Sequence, residues 1–269
     1  MMTLTVNPMT RSGTYKPNAP AMQIREGRYL LRFANTARDL DAVMKLRFEV
    51  FNLELGEGLQ SSFLTGRDQD EFDLHCHHLL VEAEETGNVI GTYRIQTNEM
   101  AVAGNGFYSA GEFDLSHLPH DVVLNSIELG RACIAPAHRH TNVLFLLWQG
   151  IAAYARQSRK RYLFGCCSLT SQSPREGWGL TRQLKLNGHL HEDFFVPPKP
   201  GFACEREDEN QADLPEVKIP KLFKTYLRFG AKACGPPALD RAFKTIDYFV
   251  IFDLLHLNET ARQLIFPDA

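Results

Sequence analysis

Residues 126–136, SIELGRACIAP, restrict the fold more than any other stretch. Ile127, Leu129, Cys133 and Ile134 suit a buried strand, yet Glu128 and Arg131 bring full charges into the same run. A buried charge is costly unless it is paired and hydrogen-bonded. Strict alternation puts the two charges on opposite faces. A bulge at Gly130 would bring both to one side, and bulges beside active sites re-aim side chains. A structural ion pair is the competing reading.

The flanking pattern sets the fold class. Arg28–Phe33 reads as a first strand and Ala37–Leu55 as a helix with Leu40, Val43, Met44 and Phe51 apolar. His77–Ala83 and Val89–Thr97 read as strands joined by a turn at Gly87 and Asn88. Residues 98–120 read as loop. A helix is expected over about Thr141–Gln157, apolar nearly all round at VLFLLW, followed by a buried strand at Tyr162–Cys167. Ser173, Pro174 and Glu176 mark a helix start, and Asn187–Gly188 its end. Residues 193–215 read as a surface crossover rich in proline and acids. Residues 215–269 read as a C-terminal extension, with a helix limited by Pro220 and a last strand at Asp247–Asp253. The expectation is an α/β fold: a mixed, mostly antiparallel central sheet flanked by helices. A strand that diverges from its parallel neighbour leaves a cleft there.

The chain has 269 residues, 44% of them hydrophobic, enough for one sizeable domain, expected over 26–269. Residues 1–25 read as a disordered lead-in without the apolar centre of a secretory signal. A net charge of −3 argues against nucleic acid as a partner. No run of 18 or more apolar residues reads as a membrane span, so the expected location is cytoplasmic. The six cysteines lack metal-site or regular spacing and read as buried thiols; a nucleophilic role for Cys166 or Cys167 is the sharper, less favoured reading. His75, His77 and His78 have no second cluster to complete a metal site, and no metal is expected.

Other charges fall in apolar surroundings. Arg47 shares a helix face with Leu40, Met44 and Phe51, so its head either escapes to solvent or meets a carboxylate. The segment DQDEFDLHCHH supplies Asp70 and Asp73 as partners. Arg94 lies on a polar strand face with Thr92 and Gln96, which taken alone reads as solvent-exposed. Two carboxylate sources and three arginines lining one cleft suit a substrate that carries both an amine and a carboxylate, in a reaction that builds negative charge.

Arg47 with Phe51, Asp70 and Asp73, Arg94, and Glu128 with Arg131 resemble the signature positions of acyl-homoserine-lactone synthases, which share the Gcn5-related N-acyltransferase (GNAT) fold. The stretches ELGRACIAPAHRHTNVLFLLWQGIAAYA, LFGCCSLTS and PKLFKTYLRFGAKACGPPALDRAF resemble a sister family, the ornithine-lipid N-acyltransferases, over roughly residues 28–253. This resemblance implies transfer of a long-chain 3-hydroxyacyl group from acyl carrier protein to the α-amine of an amino acid such as ornithine or glycine. It implies no permanently bound cofactor. Acetyl-CoA-dependent members hold pyrophosphate on a Gly-rich turn at a helix start. Here that turn is PAHRHTNVLF, without glycine, which favours the single phosphate of a carrier-protein phosphopantetheine arm over acyl-CoA.

The expected roles follow. Glu128, Arg131 and Cys133 form the catalytic set. Glu128 takes the amine proton, and backbone N–H groups around Ala132–Ile134 bind the oxyanion. Arg47, Phe51, Asp70, Asp73 and Arg94 form the substrate-binding set, with Arg131 or Arg94 forking the carboxylate. Ile134, Arg139, Thr141, Asn142 and Ser168 would hold the phosphopantetheine and acyl chain. Apolar walls are expected from LFLLW, LFGCC and LFKTYLRF. Lys221, Lys224, Arg228 and Lys232 offer a basic face to acidic carrier protein or to the inner membrane surface. The rival activities are a lactone synthase using S-adenosylmethionine and an acetyl-CoA-dependent acetyltransferase.

Overall fold

The structure is a computed structural model, and it describes residues 15, 18–139, 142–205 and 214–265. Thr141 and most of the expected N-terminal lead-in lie outside the described residues. Nine strands form one sheet: β1 (Gln23–Glu26), β2 (Tyr29–Phe33), β3 (His77–Ala83), β4 (Asn88–Thr97), β5 (Ser126–Ile134), β6 (Tyr162–Leu169), β7 (Lys232–Ala233), β8 (Ala238–Asp240) and β9 (Thr245–Asp253). The stretch expected to be disordered thus includes a buried Tyr15 and most of β1, which pairs antiparallel with β2.

The sheet order is β1-β2-β3-β4-β5-β6-β9-β7, with β8 also on β9. Every pairing is antiparallel except β5 with β6. That parallel pairing joins only Ser126–Glu128 to Tyr162–Phe164. Beyond it β5 stays with β4 while β6 stays with β9, so the two strands part.

Among the described residues eight helices flank the sheet: α1 (Ala37–Phe48), α2 (Ser62–Thr65), α3 (Asn98–Ala103), α4 (His120–Leu124), α5 (Val143–Ser158), α6 (Pro174–Leu186), α7 (Lys221–Phe229) and α8 (Glu259–Ile265). Thr36 and Asp39 close a capping box at the start of α1. The helix expected to continue to Leu55 changes at Glu49 into a π-helix, Glu49–Glu54, whose wider turn carries Phe51. α1 packs on the sheet face of Leu80 and Cys133, whereas α5 packs on the opposite face, that of Leu31 and Leu79. Pro220 precedes α7, as expected, and Gly230 at φ +108° ends it. Residues 98–120, read as loop, instead hold α3, a 3₁₀ turn at Tyr108–Gly111 and a second at Leu115–His117. Their apolar residues, Ala101, Phe107, Phe113 and Leu118, form a second core with Phe164, Phe249 and Ile251. No described helix is long and apolar enough to cross a membrane.

Candidate active site

A cavity of about 320 Å³ opens where β5 and β6 part. On β5, β6 and β9 alternate side chains reach opposite faces, and the lining includes both sets. One face contributes Tyr93, Trp148, Cys167, Phe223, Tyr226, Val250 and Phe252, and is apolar. The other contributes Arg94, Ser109, Glu128, Arg131, Ser168 and Asp247, and is polar. The cleft therefore passes through the sheet. At Gly165 the backbones of β6 and β5 approach more closely than any side chain allows: a Cβ there would meet the Leu129 carbonyl oxygen at 2.2 Å.

The bulge lies one residue later than expected. Arg94 pairs with Gly130 and Thr92 with Cys133, so Arg131 and Ala132 together oppose Tyr93. Arg131, not Gly130, takes the left-handed conformation, at φ +49°. The consequence is the expected one, since Glu128 and Arg131 line the same polar side. They do not pair with each other. Glu128 is 5% exposed and accepts hydrogen bonds from the Tyr108 and Ser109 N–H groups, both at 2.7 Å, and from the Ser109 hydroxyl. Burial pushes its carboxyl above the usual range, and these donors and Arg94 pull the other way.

Arg131 joins a second cluster. Its Nη2 donates to Asp70 at 3.1 Å, and its Nε lies 3.3 Å from Asp68. Its guanidinium covers the Tyr108 and Phe243 rings at 4.8 and 4.4 Å. Arg94 donates to Asp70 at 2.6 Å and Asp73 at 3.1 Å. Arg47 donates to Asp68 at 2.6 Å and Asp73 at 2.7 Å. Three arginines and three aspartates thus form one buried network. Arg47 does not escape to solvent; it is 0% exposed. Arg94 is buried too, correcting the reading of its strand face as solvent-exposed: the Asp70–Asp73 loop covers it. Burial pushes the Asp73 carboxyl up, but Arg47 and Arg94 outweigh it and hold the group far below the usual range.

The sequence-predicted residues separate into two groups. Glu128, Arg131, Arg94, Phe51 and Ser168 line the cleft. Arg47, Asp70, Asp73, Cys133, Ile134, Arg139 and Asn142 do not. Cys133 packs with Leu46, Val50 and Phe51, and burial pushes its thiol up to about 12. Arg139 forks onto Glu54 at 2.5 and 2.7 Å, and Asn142 donates to Glu26. Of the expected apolar walls, Trp148, Leu163–Cys167, Leu222, Phe223 and Tyr226 line the cleft. Leu146 and Leu147 fill the core instead. His77 and His78 bond to Tyr154 and to the Asp73 carbonyl. A group not anticipated from sequence, Glu112, Asp240 and Asp247, has carboxylate oxygens within 4.8 Å of one another. Asp247 was legible: it is a charge in the apolar strand DYFVIFD, the same signal that singled out Glu128. Tyr108 and Ser109 reach Glu128 through backbone N–H groups, which carry no sequence signal, and Ser109 adds its hydroxyl.

A parallel pair splayed around a buried carboxylate, with a cleft through the sheet, defines a GNAT-type acyltransferase. The acetyltransferase (GNAT) domain family matches residues 46–149. The L-ornithine N(alpha)-acyltransferase of Brucella abortus (strain 2308) is 34% identical over 87% of this chain and 87% of its own length. That of Agrobacterium fabrum (strain C58) is 33% identical over 84% of this chain and 81% of its own. The crystal structure of the AHL synthase LasI overlays with a TM-score of 0.47 at 13% identity, over 89% of this chain and 95% of that one. The chain belongs to the L-ornithine N(alpha)-acyltransferase family. It is an N-acyltransferase that acts on an amino-acid amine.

Proposed function

We propose that the protein transfers a long-chain 3-hydroxyacyl group from the phosphopantetheine thioester of an acyl carrier protein to the α-amine of L-ornithine. The observation that carries this reading is the two-sided cleft with Glu128 at its waist. The apolar side, walled by Trp148, Tyr226 and Phe252, accepts the acyl chain. The polar side accepts the amino acid. The relatives at 34% and 33% identity are named for L-ornithine, which supports the acceptor.

The amine must lose its proton to attack the thioester carbonyl. Glu128 takes that proton, directly or through water. The Tyr108 and Ser109 donors orient it, and burial raises its basicity. Ala132 stands in the bulge without a register partner on β4 and lines the cleft, so its N–H is the oxyanion donor. Arg131 orients the substrate carboxylate. Arg47, Asp68, Asp70 and Asp73 act behind it as positioning residues, because none of them lines the cleft. A carrier-protein donor is supported by α7. Its apolar side closes the acyl arm through Leu222, Phe223 and Tyr226, while Lys221, Lys224 and Arg228 are exposed on its other side. The same basic face offers a peripheral contact to an anionic membrane.

The test is a reconstituted reaction of the purified protein with L-ornithine and matched 3-hydroxyacyl thioesters of carrier protein and of CoA, read by mass spectrometry. N-acylornithine formed faster from the carrier-protein thioester is the expected product. A lactone formed only with S-adenosylmethionine would replace this reading.

A further inference from the structure

The polar arm of the cleft ends on a second set of acids, which form no ion pair among the described residues. Asp247 lines the cleft on the same sheet face as Glu128, next to Ser168 on the neighbouring strand. Glu112 and Asp240 stand behind it, and all three are 4–5% exposed. The 3₁₀ turn that presents Ser109 to Glu128 also carries Glu112, so the two carboxylate groups share one support. Between them lies Cys166, whose thiol is 3.6 Å from the Ser109 hydroxyl.

The two acid clusters differ in one respect. Asp68, Asp70 and Asp73 are matched by three arginines. Glu112, Asp240 and Asp247 form no ion pair among the described residues. Asp240 is satisfied by the Ala242 and Phe243 N–H groups. Glu112 Oε2 and Asp247 Oδ1 are buried and receive no hydrogen bond. Orphaned buried carboxylate oxygens in a functional cavity call for a cation. In the empty site a proton fills that role. Burial, then Asp247 and Asp240, push the Glu112 carboxyl up to about 10, and burial pushes Asp247 up to about 6. Glu57, also on the cleft wall, is raised by burial and further by Asp247, with the Thr170 hydroxyl pulling the other way.

We propose that Asp247, backed by Glu112 and Asp240, binds the side-chain ammonium of the acceptor and selects a basic amino acid over an uncharged one. The inference rests on the function proposed above and deepens it. The α-amine faces Glu128, the α-carboxylate faces Arg131, and the terminal ammonium reaches Asp247. Selection follows from the charged hydrogen bond to Asp247 that an apolar side chain cannot make, worth roughly 10- to 100-fold.

The test compares L-ornithine with L-norvaline, which lacks the terminal amine, as acceptors. The wild-type kcat/KM ratio should be at least about 30-fold in favour of ornithine. Asp247→Asn should collapse that ratio by about 10-fold or more, and Glu112→Gln should lower it in the same direction. A thermal melt checks that each variant is folded. Should Asp247→Asn not fold, calorimetric binding of ornithine and norvaline to Glu112→Gln decides the matter alone. An unchanged ratio with both rates reduced would overturn the proposal and leave a structural role. Activity lost to a chelator and restored by a divalent cation would also overturn it, assigning the acids to a metal. Wild-type acylation of amino acids without basic preference sinks this inference alone, whereas no acylation of any amino acid sinks the proposed function and takes this inference with it.

Discussion

Arg47 has no exposed surface, and two aspartates depend on it. Removing one partner of a buried ion pair leaves uncompensated charge and costs about 3–5 kcal/mol. Arg47→Ala should therefore lose that much unfolding free energy in urea titration; a loss under 1 kcal/mol would mean that the network is not closed in solution. Glu128 offers a contrast, because its proposed role is chemical. Glu128→Gln keeps the shape and should lower kcat about 10²–10⁴-fold, with a stability loss of about 1–3 kcal/mol because its amide nitrogen faces a buried backbone N–H. Because its carboxyl is raised, the acid limb of kcat/KM should fall at a pH above the ordinary carboxylate value of about 4.3. His78 sets a pH window for stability. It is 0% exposed, and burial pushes it down to about 4, against roughly 6.5 in the unfolded chain. Between those values the unfolded chain binds the extra proton, so stability should drop as pH falls from 6.5 to 4, by up to about 3 kcal/mol. Urea titrations across that range should show the slope in the wild type and a shallower one in His78→Gln.

At the scale of elements, the waist of the cleft is one contact: Gly165 against the Leu129 carbonyl. Gly165→Ala forces backbone away from backbone, since the clash at 2.2 Å involves no movable side chain. The expected result is a fall in both melting temperature and kcat/KM, with Gly130→Ala, whose added Cβ meets nothing within 4 Å, as the milder control. Equal effects of the two would contradict this account. The same elements show what the sequence makes legible. Apolar runs located β3, β4, β5 and β9, the first two joined by a turn at Gly87 and Asn88, and Pro220 bounded α7, because these signals are local. The bulge in β5 was legible through charges that an ordinary core strand would not hold, and the cleft through the mixed order of strands and helices. The rest was not local. The burial of Arg94 depends on a loop some twenty residues earlier folding over it. The 3₁₀ turn at Tyr108–Gly111 has no periodicity to read, and two of its three donors to Glu128 are backbone. β7 and β8 are too short for a pattern and exist because β9 offers them an edge.

At the scale of the molecule, the two arms of the cleft lie on opposite faces of one sheet, so donor and acceptor can occupy it together. This geometry favours direct transfer within a ternary complex over passage through an acyl-enzyme. The thiols nearest the waist support the same conclusion. Cys166 and Cys167 line the cleft, but burial raises both far above the ordinary cysteine value, which leaves them as poorly nucleophilic thiols. Initial-rate patterns should therefore be intersecting rather than parallel when donor and acceptor are varied. Incubation with donor thioester alone should leave the mass of the intact protein unchanged, and a Cys166→Ser variant should keep kcat within about tenfold of wild type, far short of the loss expected on removing a nucleophile. An acyl adduct on either cysteine, formed without acceptor and discharged when acceptor is added, would make the enzyme ping-pong. It would also move Glu128 from deprotonating the acceptor in one step to serving two half-reactions in turn.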